Sequence, residues 1–363
     1  MCEGRERLLP DLLQSSWRVL RWWGFAVIAV VFAAPLSVCA QHANAASRQA
    51  VHGAVPQGTR NVVTDEVGRQ VSIPAKVNRI VTLSPDLTET IFALGLDDKL
   101  AGDSNYCETP PAAKLKPHVG APLNPSLEAI VALHPDLVLA STSINRRETV
   151  DALARLGIAV YASNPHTVRG MLDSVRKMSE LMGSSAAGEA LVGPLQARLD
   201  DLRMRLSELP LAHVFFVVWQ EPLISIGQNT FIADALRWAG AESVILSDQN
   251  WPHISFEEVV RLQPDYIVFT SNHGGEGETQ LADLRARAGW KGLRAVESGN
   301  VVVISDELAR PSPGMVNAIE QLARELHPEA FSPQSTNGNF DLRDRGQFAH
   351  RVSPEEGCML CAR

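Results

Sequence analysis

The chain has 363 residues, a formal net charge of −8 at neutral pH and charged residues at 20% of its positions. This length is sufficient for two domains with separate hydrophobic cores. The mild acidity argues against a nucleic-acid partner, because nucleic-acid-binding proteins need a basic face.

Residues 1–45 have the pattern of a secretory signal peptide. Basic residues precede an apolar run from Gly24 to about Leu36 that is short for a membrane span, and small residues follow it. These small residues predict cleavage after Ala45, with Ala40 as the alternative site, and therefore export. An uncleaved membrane anchor remains an open alternative.

The cysteines do not form the pattern of a disulfide framework. Cys107, Cys358 and Cys361 would remain after cleavage, and an odd number argues against a disulfide scaffold. The C-x-x-C near the end lacks a second ligand pair, so we interpret it as part of the tail rather than as a metal or redox site. Lipidation at Cys39 is the less favoured alternative, because Val38 is a poor residue before a lipidated cysteine.

Residues 46–78 are predicted as a polar lead-in followed by a β-hairpin, since NVVTDEVGRQVSIP alternates around a glycine-containing turn. Residues 79–165 alternate strand and helix patterns, which predicts an α/β lobe. Its proline-rich loop, 104–126, is long for a compact domain. We expect this loop to lack regular structure and to lie at the binding face.

Residues 166–210 have apolar residues at helical spacing and predict a connecting helix, interrupted near Gly183. Residues 211–330 return to strand-helix alternation, which predicts a second α/β lobe with a glycine-rich loop. Residues 331–363 are polar and are predicted as a disordered tail. A single helical connector would be stiff and would allow only small movements between the lobes. The alternative is an amphipathic core helix inside one large domain.

One stretch occurs twice, as PSLEAIVALHPDLVLA at 125–140 and ISFEEVVRLQPDYIVFT at 254–270. Glu128 matches Glu257 at an offset of 129 (257−128). In each copy a serine precedes the glutamate as a helix N-cap, and a Pro-Asp turn leads into a β-branched strand. The repeat predicts two similar α/β lobes that face each other across one site.

The sequence has none of the usual enzyme signatures, such as H-E-x-x-H, G-x-S-x-G or a phosphate loop followed by Lys-Ser/Thr. Aromatic and polar residues instead follow the predicted strands. They are Tyr106, Trp219, Trp251, His253, Asp306 and Arg310. Ligands of open α/β sheets bind outside the carboxyl ends of the strands, and an aromatic rim suits the flat face of a macrocycle. Trp251 is the strongest candidate, because it lies in a loop beside proline and polar residues.

Glu128 and Glu257 each fall in the first turn of a predicted helix. A carboxylate there complements the helix dipole, and that alone is a sufficient structural reason for it. The functional alternative is that two symmetric acids dock a two-fold symmetric partner with two basic sockets.

Several segments together resemble the periplasmic substrate-binding proteins of ABC importers for iron-siderophores, haem and cobalamin. The segments are RIVTLSPDLTETIFALG, YCETPP, LEAIVALHPDLVLA, LGIAVYA, WPHISFEEVV and SDELARPSPGMVNAIEQLA. The resemblance covers about residues 61–327 and is greatest to the members that bind cobalamin. It implies a class III periplasmic binding protein of the helical-backbone metal-receptor type, in which one rigid helix joins two α/β lobes.

The resemblance also implies roles for individual residues. Tyr106 and Trp251 match positions that pack on the corrin, and Asp306 matches an acid that contacts the ligand. Glu128 and Glu257 match the two acids that dock arginines of the permease dimer. Pro122 is a departure, because the cobalamin-binding members have tryptophan there, and this leaves the ligand open.

The resemblance therefore implies an exported, monomeric, non-enzymatic receptor in the periplasm that needs no cofactor. It would capture a corrinoid, with cobalamin preferred, and deliver it to an inner-membrane ABC permease dimer. One alternative is a ferric-siderophore or haem receptor of the same family. A second is a chelatase-like tetrapyrrole enzyme, for which His253 with Glu257 is the sequence-local candidate pair.

Overall fold

The computed structural model describes residues 59–271 and 277–332. The chain divides into two units, Met1–Val55 and Pro56–Arg363, and all of the described residues belong to the second. The predicted signal peptide, most of the lead-in, most of the glycine-rich loop and nearly all of the predicted tail lie outside the described residues. Cys39, Cys358 and Cys361 lie there too.

The described chain begins with the predicted hairpin, β1 (Arg60–Thr64) paired with β2 (Gln70–Pro74). Two acids in its turn attach it to the lobe that follows. Asp65 accepts hydrogen bonds from the guanidinium of Arg69, at 2.8 and 2.6 Å, and this guanidinium donates to Val160 O of the lobe at 3.1 Å. Glu66 accepts from the backbone N–H of Asn164 at 2.6 Å and from the Ser174 hydroxyl at 2.8 Å. These charge-assisted bonds fasten the hairpin.

The strands of the first lobe are β3 (Ile80–Thr82), β4 (Leu100–Gly102), β7 (Leu137–Ser141) and β8 (Val160–Ser163). Within the described residues they form a parallel sheet in the order β4-β3-β7-β8. A small hairpin of β5 (Gly120–Ala121) and β6 (Asn124–Pro125) precedes the second helix. The helices are α1 (Pro85–Ala93), α2 (Leu127–Ala132) and α3 (Arg147–Arg155).

The strands of the second lobe are β9 (Ala212–Val217), β12 (Ala241–Ser243), β13 (Tyr266–Thr270) and β14 (Val301–Ile304). Within the described residues they form a parallel sheet in the corresponding order, β12-β9-β13-β14. A hairpin of β10 (Trp219–Gln220) and β11 (Leu223–Ile224) follows the first of them. The described helices are α6 (Phe231–Trp238), α7 (Phe256–Leu262), α8 (Gly277–Ala286), α9 (Arg294–Glu297) and α10 (Met315–Leu326).

The internal repeat extends to backbone details. The residues that end α2 and α7 in the left-handed region, His134 (φ 46°) and Gln263 (φ 42°), differ by the same 129 positions (263−134). Asp136 and Asp265 also correspond. Each accepts a backbone N–H at the start of a neighbouring strand, from Arg79, just before Ile80–Thr82, at 3.0 Å and from His213, the second residue of Ala212–Val217, at 3.2 Å. The two copies are therefore one structural unit used twice.

Two helices connect the lobes, α4 (Val168–Leu181) and α5 (Ser185–Leu206). The chain turns between them at Gly183, whose φ of +68° favours glycine. Buried side chains of both helices, such as Met171 and Leu199, belong to an apolar core that also includes Leu137 of the first sheet and Phe216 of the second. The fold class predicted from the sequence, two similar α/β lobes joined by a long helix, is confirmed.

The structure corrects one local prediction. The loop 104–126 is not without regular structure, because it contains a 3₁₀ helix at Pro111–Leu115 and the β5–β6 hairpin. In the described part of the chain, no helix combines the length and the apolar content that a membrane crossing requires.

Candidate functional site

The carboxyl ends of the two parallel sheets border a cleft between the lobes. A pocket of about 130 Å³ has one wall from each lobe. The first lobe contributes Ser141–Ser143 and Asn164–His166, and the second contributes Asn229–Phe231, Asn250, Trp251 and Pro311. This is the position in which open α/β sheets bind their ligands.

A second pocket, of about 150 Å³, lies on the side of the second lobe and shares Trp251 with the first. Its walls are mostly apolar side chains, and Asp306 and Arg310 are the charged residues that line it. The structure therefore brings together three of the predicted site residues, Trp251, Asp306 and Arg310.

Backbone contacts hold the loop that carries Trp251 against the second lobe. The backbone N–H of Ser225 donates to Pro252 O at 3.1 Å, and that of Gly227 donates to Asn250 O at 3.0 Å. A Cβ at Gly227 would meet Gln249 O at 1.9 Å, so no larger residue fits this close approach. The Trp251 side chain remains 44% exposed although its backbone is fixed. An aromatic side chain is thus held open to the cleft.

Arg310 also contacts the opposite lobe. Its Nε lies 3.0 Å from Oε1 of Glu89, a residue of α1. Ser312 Oγ donates to the other carboxylate oxygen at 2.7 Å. Burial raises the pKa of Glu89, and the Arg310 charge acts against that rise. The floor of the cleft is therefore closed by a polar contact between the lobes, beside Asp306, which accepts a hydrogen bond from Ser271 Oγ at 3.2 Å.

Four predicted residues lie outside the linings of the two cleft pockets. Tyr106 follows β4 and is 65% exposed. Trp219 lies in β10, where its indole Nε1 donates to Glu221 O at 2.8 Å. His253 is exposed, and its backbone forms an isolated antiparallel β-bridge with Ile224.

Pro122, the fourth, is buried, and its carbonyl accepts from Asn145 Nδ2 at 2.9 Å. The repeat offset makes Pro122 the counterpart of Trp251 (251−129). At this position, then, the first lobe presents a buried proline where the second presents a half-exposed tryptophan.

Sequence reasoning missed a polar cluster at the start of the loop that carries Tyr106. Asp103 is fully buried, and its Oδ1 lies 2.7 Å from Nδ1 of His118. Burial raises the pKa of Asp103 to about 6, although His118 acts in the opposite direction. The Cys107 sulfur lies 3.0 Å from the Thr88 hydroxyl, and burial raises the pKa of this thiol. An aspartate directly after a strand was the available signal, but its partner is fifteen residues further along.

Glu128 and Glu257 lie in the first turns of α2 and α7, as predicted. The N-cap hydroxyl of Ser126 accepts from Ala129 N at 3.1 Å, and that of Ser255 accepts from Glu258 N at 3.2 Å. Both glutamates are exposed. Serine caps thus fix both short helices and leave both carboxylates in solvent.

Among residues 59–271 and 277–332, no cluster of three or more His, Cys, Asp or Glu side chains could hold a metal ion. Within the same residues, no hydrogen bond or ion pair joins His253 to Glu257. The described site therefore gives the chelatase-like alternative no geometric support.

Two α/β lobes with a cleft at the carboxyl ends of both sheets form the architecture of a solute-binding protein. Residues 80–308, more than half of the chain, match the family described as Periplasmic binding protein, and the chain belongs to that family. The family predicted from the sequence is confirmed.

Similar proteins carry binding and transport names. The Vitamin B12-binding protein of Vibrio cholerae is 28% identical over 256 residues, which cover 70% of this chain and 90% of the relative. An uncharacterized ABC transporter substrate-binding lipoprotein of Bacillus subtilis, YvrC, is 28% identical over 74% of this chain and 86% of its own length.

Solved structures show the same fold. The crystal structure of the periplasmic vitamin B12 binding protein BtuF of Vibrio cholerae is 27% identical and covers 71% of this chain and 99% of its own, with a TM-score of 0.63. The periplasmic heme-binding protein BhuT, in complex with two hemes, has a TM-score of 0.62 at 23% identity and covers 69% of this chain and 98% of its own.

The raised pKa of Asp103 predicts a pH-dependent contribution to stability. The folded chain holds this proton more tightly than the unfolded chain, whose ordinary pKa is 3.8. The contribution is therefore present in full below about pH 4 and is lost as the pH rises through about 6. Asp103→Asn cannot lose this contribution. The unfolding free energy of the variant minus that of wild type should therefore rise by about 1–3 kcal/mol as the pH is raised from about 4 to about 7.

Urea unfolding at several pH values measures this difference. Asp98→Asn, an exposed carboxyl a few residues earlier, is the matched control and should show no such trend. A difference between Asp103→Asn and wild type that does not vary with pH would contradict the assignment.

Proposed function

We propose that the chain is the substrate-binding component of an ABC importer, that it acts in the periplasm, and that its ligand is a corrinoid, with cobalamin preferred. The names of the similar proteins support this proposal, since they include vitamin B12-binding proteins and an ABC transporter substrate-binding lipoprotein. The family consists of binding proteins, so the chain captures and releases its ligand without turnover.

The observation that carries the proposal is the exposed Trp251 in the cleft, with Asp306 and Arg310 in the same pocket. Pockets that enclose a drug-sized ligand are roughly 300–1,000 Å³. The cleft pockets, of about 130 and 150 Å³, are too small to enclose a corrin ring. A flat macrocycle would instead lie across the cleft on the Trp251 ring, with Asp306 contacting a polar edge.

The remaining predicted residues complete this proposed site at its rim. Tyr106 and Trp219 have exposed rings on loops that follow β4 and β9, and His253 lies beside Trp251 in sequence. Pro122 offers no ring at the position equivalent to Trp251. We therefore expect the ligand to stack mainly on the second lobe.

The proposal includes export by residues 1–45, a monomeric mature chain and delivery to a permease dimer. Glu128 and Glu257 would contact basic sockets on the two permease subunits. They occupy equivalent positions on α2 and α7 and are solvent-exposed, as docking requires. Exposed ion pairs add little affinity but orient the encounter.

The experiment that tests the ligand is a titration of the purified mature chain with cobalamin, cobinamide, haem and several ferric siderophores. Isothermal calorimetry or the quenching of tryptophan fluorescence would measure affinity. We expect the tightest binding for a corrinoid. Tighter binding of haem or of a ferric siderophore would transfer the proposal to that ligand class, and binding of none would overturn it.

Trp251→Ala should weaken corrinoid binding by about tenfold or more, because a half-exposed aromatic ring in a cleft is the type of side chain that dominates binding energy. Leu156→Ala is the matched control, since Leu156 is also exposed but lies at the end of α3. The same titration measures both variants. An affinity for Trp251→Ala within about twofold of wild type would show that Trp251 is not a ligand contact.

Replacing Glu128 and Glu257 together by alanine should abolish transport and leave ligand affinity unchanged. The reason is that both carboxylates face solvent on helices outside the cleft pockets. Ligand uptake into proteoliposomes that contain the importer measures the first effect, and titration measures the second. Glu258→Ala is the control. This carboxylate lies next to Glu257 on the same helix but is already paired with Arg261, at 2.6 Å. Loss of ligand affinity in the double variant would instead assign the acids to the pocket.

A further inference from the structure

The repeated unit keeps some residues identical in both copies, and most of them have a visible internal role. Ser126 and Ser255 cap their helices. Asp136 and Asp265 bind backbone N–H groups at the start of the neighbouring strand. The leucines at 133 and 262 pack against the buried clusters of their lobes. These identities are explained by folding alone.

Besides the glutamates, one further identity lies on the surface and has no such internal role. Val131 of α2 and Val260 of α7 differ by the same 129 positions (260−131). Their side chains are 42% and 39% exposed. Neighbouring exposed positions are not kept, since Ala132 corresponds to Arg261. Two valines at equivalent solvent-facing positions are therefore a shared feature of the surface.

Valine is a poor choice for such a position on local grounds. Its β-branched side chain loses rotamer freedom in a helix, and alanine, glutamate or lysine would favour the helix more. About two-fifths of each valine stays in water, so burial compensates for only part of this cost. Local folding therefore explains neither valine in full.

The valines lie three residues after the glutamates, at Glu128–Val131 and Glu257–Val260. Residues three apart on a helix are neighbours on one face. Each lobe thus presents the same small patch, a carboxylate beside an exposed valine. We call these two patches the docking pairs.

We propose that the docking pairs together form the importer-binding surface, in which each valine enters an apolar contact beside the basic group that binds the glutamate. This inference rests on the proposed function and extends it. The occupant is a partner with two equivalent sockets, each combining a cation and an apolar side chain. Charge complementarity to the two carboxylates and the duplication of the pair favour such a partner.

In a contact of this kind, the glutamates and the valines would contribute to binding in different ways. The carboxylates act at long range and orient the encounter, and their effect falls as salt is added. The valines act only in contact, by removing apolar surface from water, and ionic strength does not screen their effect. The docking pairs therefore predict a complex whose formation is salt-sensitive but which retains a salt-resistant component.

The test uses the mature chain and its cognate importer in nanodiscs, identified as the importer whose ATPase activity the wild-type chain stimulates. The variants are Val131→Ala with Val260→Ala, and Val131→Thr with Val260→Thr, which keeps the side-chain shape. Both should lower affinity for the nanodiscs by about tenfold, and each single replacement should contribute equally. Ligand affinity should not change, and the melting temperature of the alanine variant should be unchanged or higher.

Leu156→Ala and Met204→Ala are the controls, because both residues are exposed apolar side chains on other helices. If the valine variants keep nanodisc affinity within about twofold while the paired glutamate variant loses it, this inference is wrong and the proposed function stands. If neither set changes nanodisc affinity, this inference and the proposed docking role of Glu128 and Glu257 are both wrong, and the proposed ligand is unaffected. A lower melting temperature in both valine variants, with reduced affinity, would assign the valines a structural role and overturn the inference.

Discussion

The structure depends on one apolar core that both lobes share through the connecting helices. Leu137 of the first sheet and Phe216 of the second belong to the same buried cluster as Met171 and Leu199 of α4 and α5. Protein interiors are packed as densely as organic crystals and resist deformation. Sliding one lobe against the other would therefore disrupt side-chain packing on both sides of the helices. The Glu89–Arg310 contact adds a polar attachment at the floor of the cleft.

This constraint explains the form of the candidate site. A binding protein with a wide hinge can enclose its ligand, whereas one with a shared core needs a surface that already fits. The cleft here contains small pockets and the exposed ring of Trp251 rather than a large cavity. The loop that carries Trp251 is also held in place, because it packs so closely on the backbone at Gly227 that a side chain there would clash with it. The site is preorganised, which reduces the conformational entropy lost on binding.

The parts that could be predicted from sequence are those encoded by local spacing. The repeat, its serine caps and its Pro-Asp turns are visible within sixteen or seventeen residues, and they indicated the paired lobes. Gly183 marked the break between α4 and α5 for the same reason. Trp251, Asp306 and Arg310 each follow a strand, and the parallel topology brings such residues to one edge.

The parts that could not be predicted rest on contacts between distant residues. Ser312 and Glu89 are 223 positions apart, and no local pattern pairs them. The Asp103–His118 contact depends on the path of an irregular loop whose helix and hairpin were not expected. Exposure was also hidden, since the alternation of apolar residues that marks a helix does not distinguish Val131 from its buried neighbour Ile130.

The repeat places Glu128 and Glu257 at equivalent exposed positions on the two lobes, but Pro122 and Trp251 differ at equivalent positions and make the cleft one-sided. A partner with a true two-fold axis could receive such a molecule in either of two poses half a turn apart. Both poses are equivalent to the partner, so association gains a statistical factor of about two, or roughly 0.4 kcal/mol. A ligand held on Trp251, as proposed, would then face either half of the partner with equal frequency.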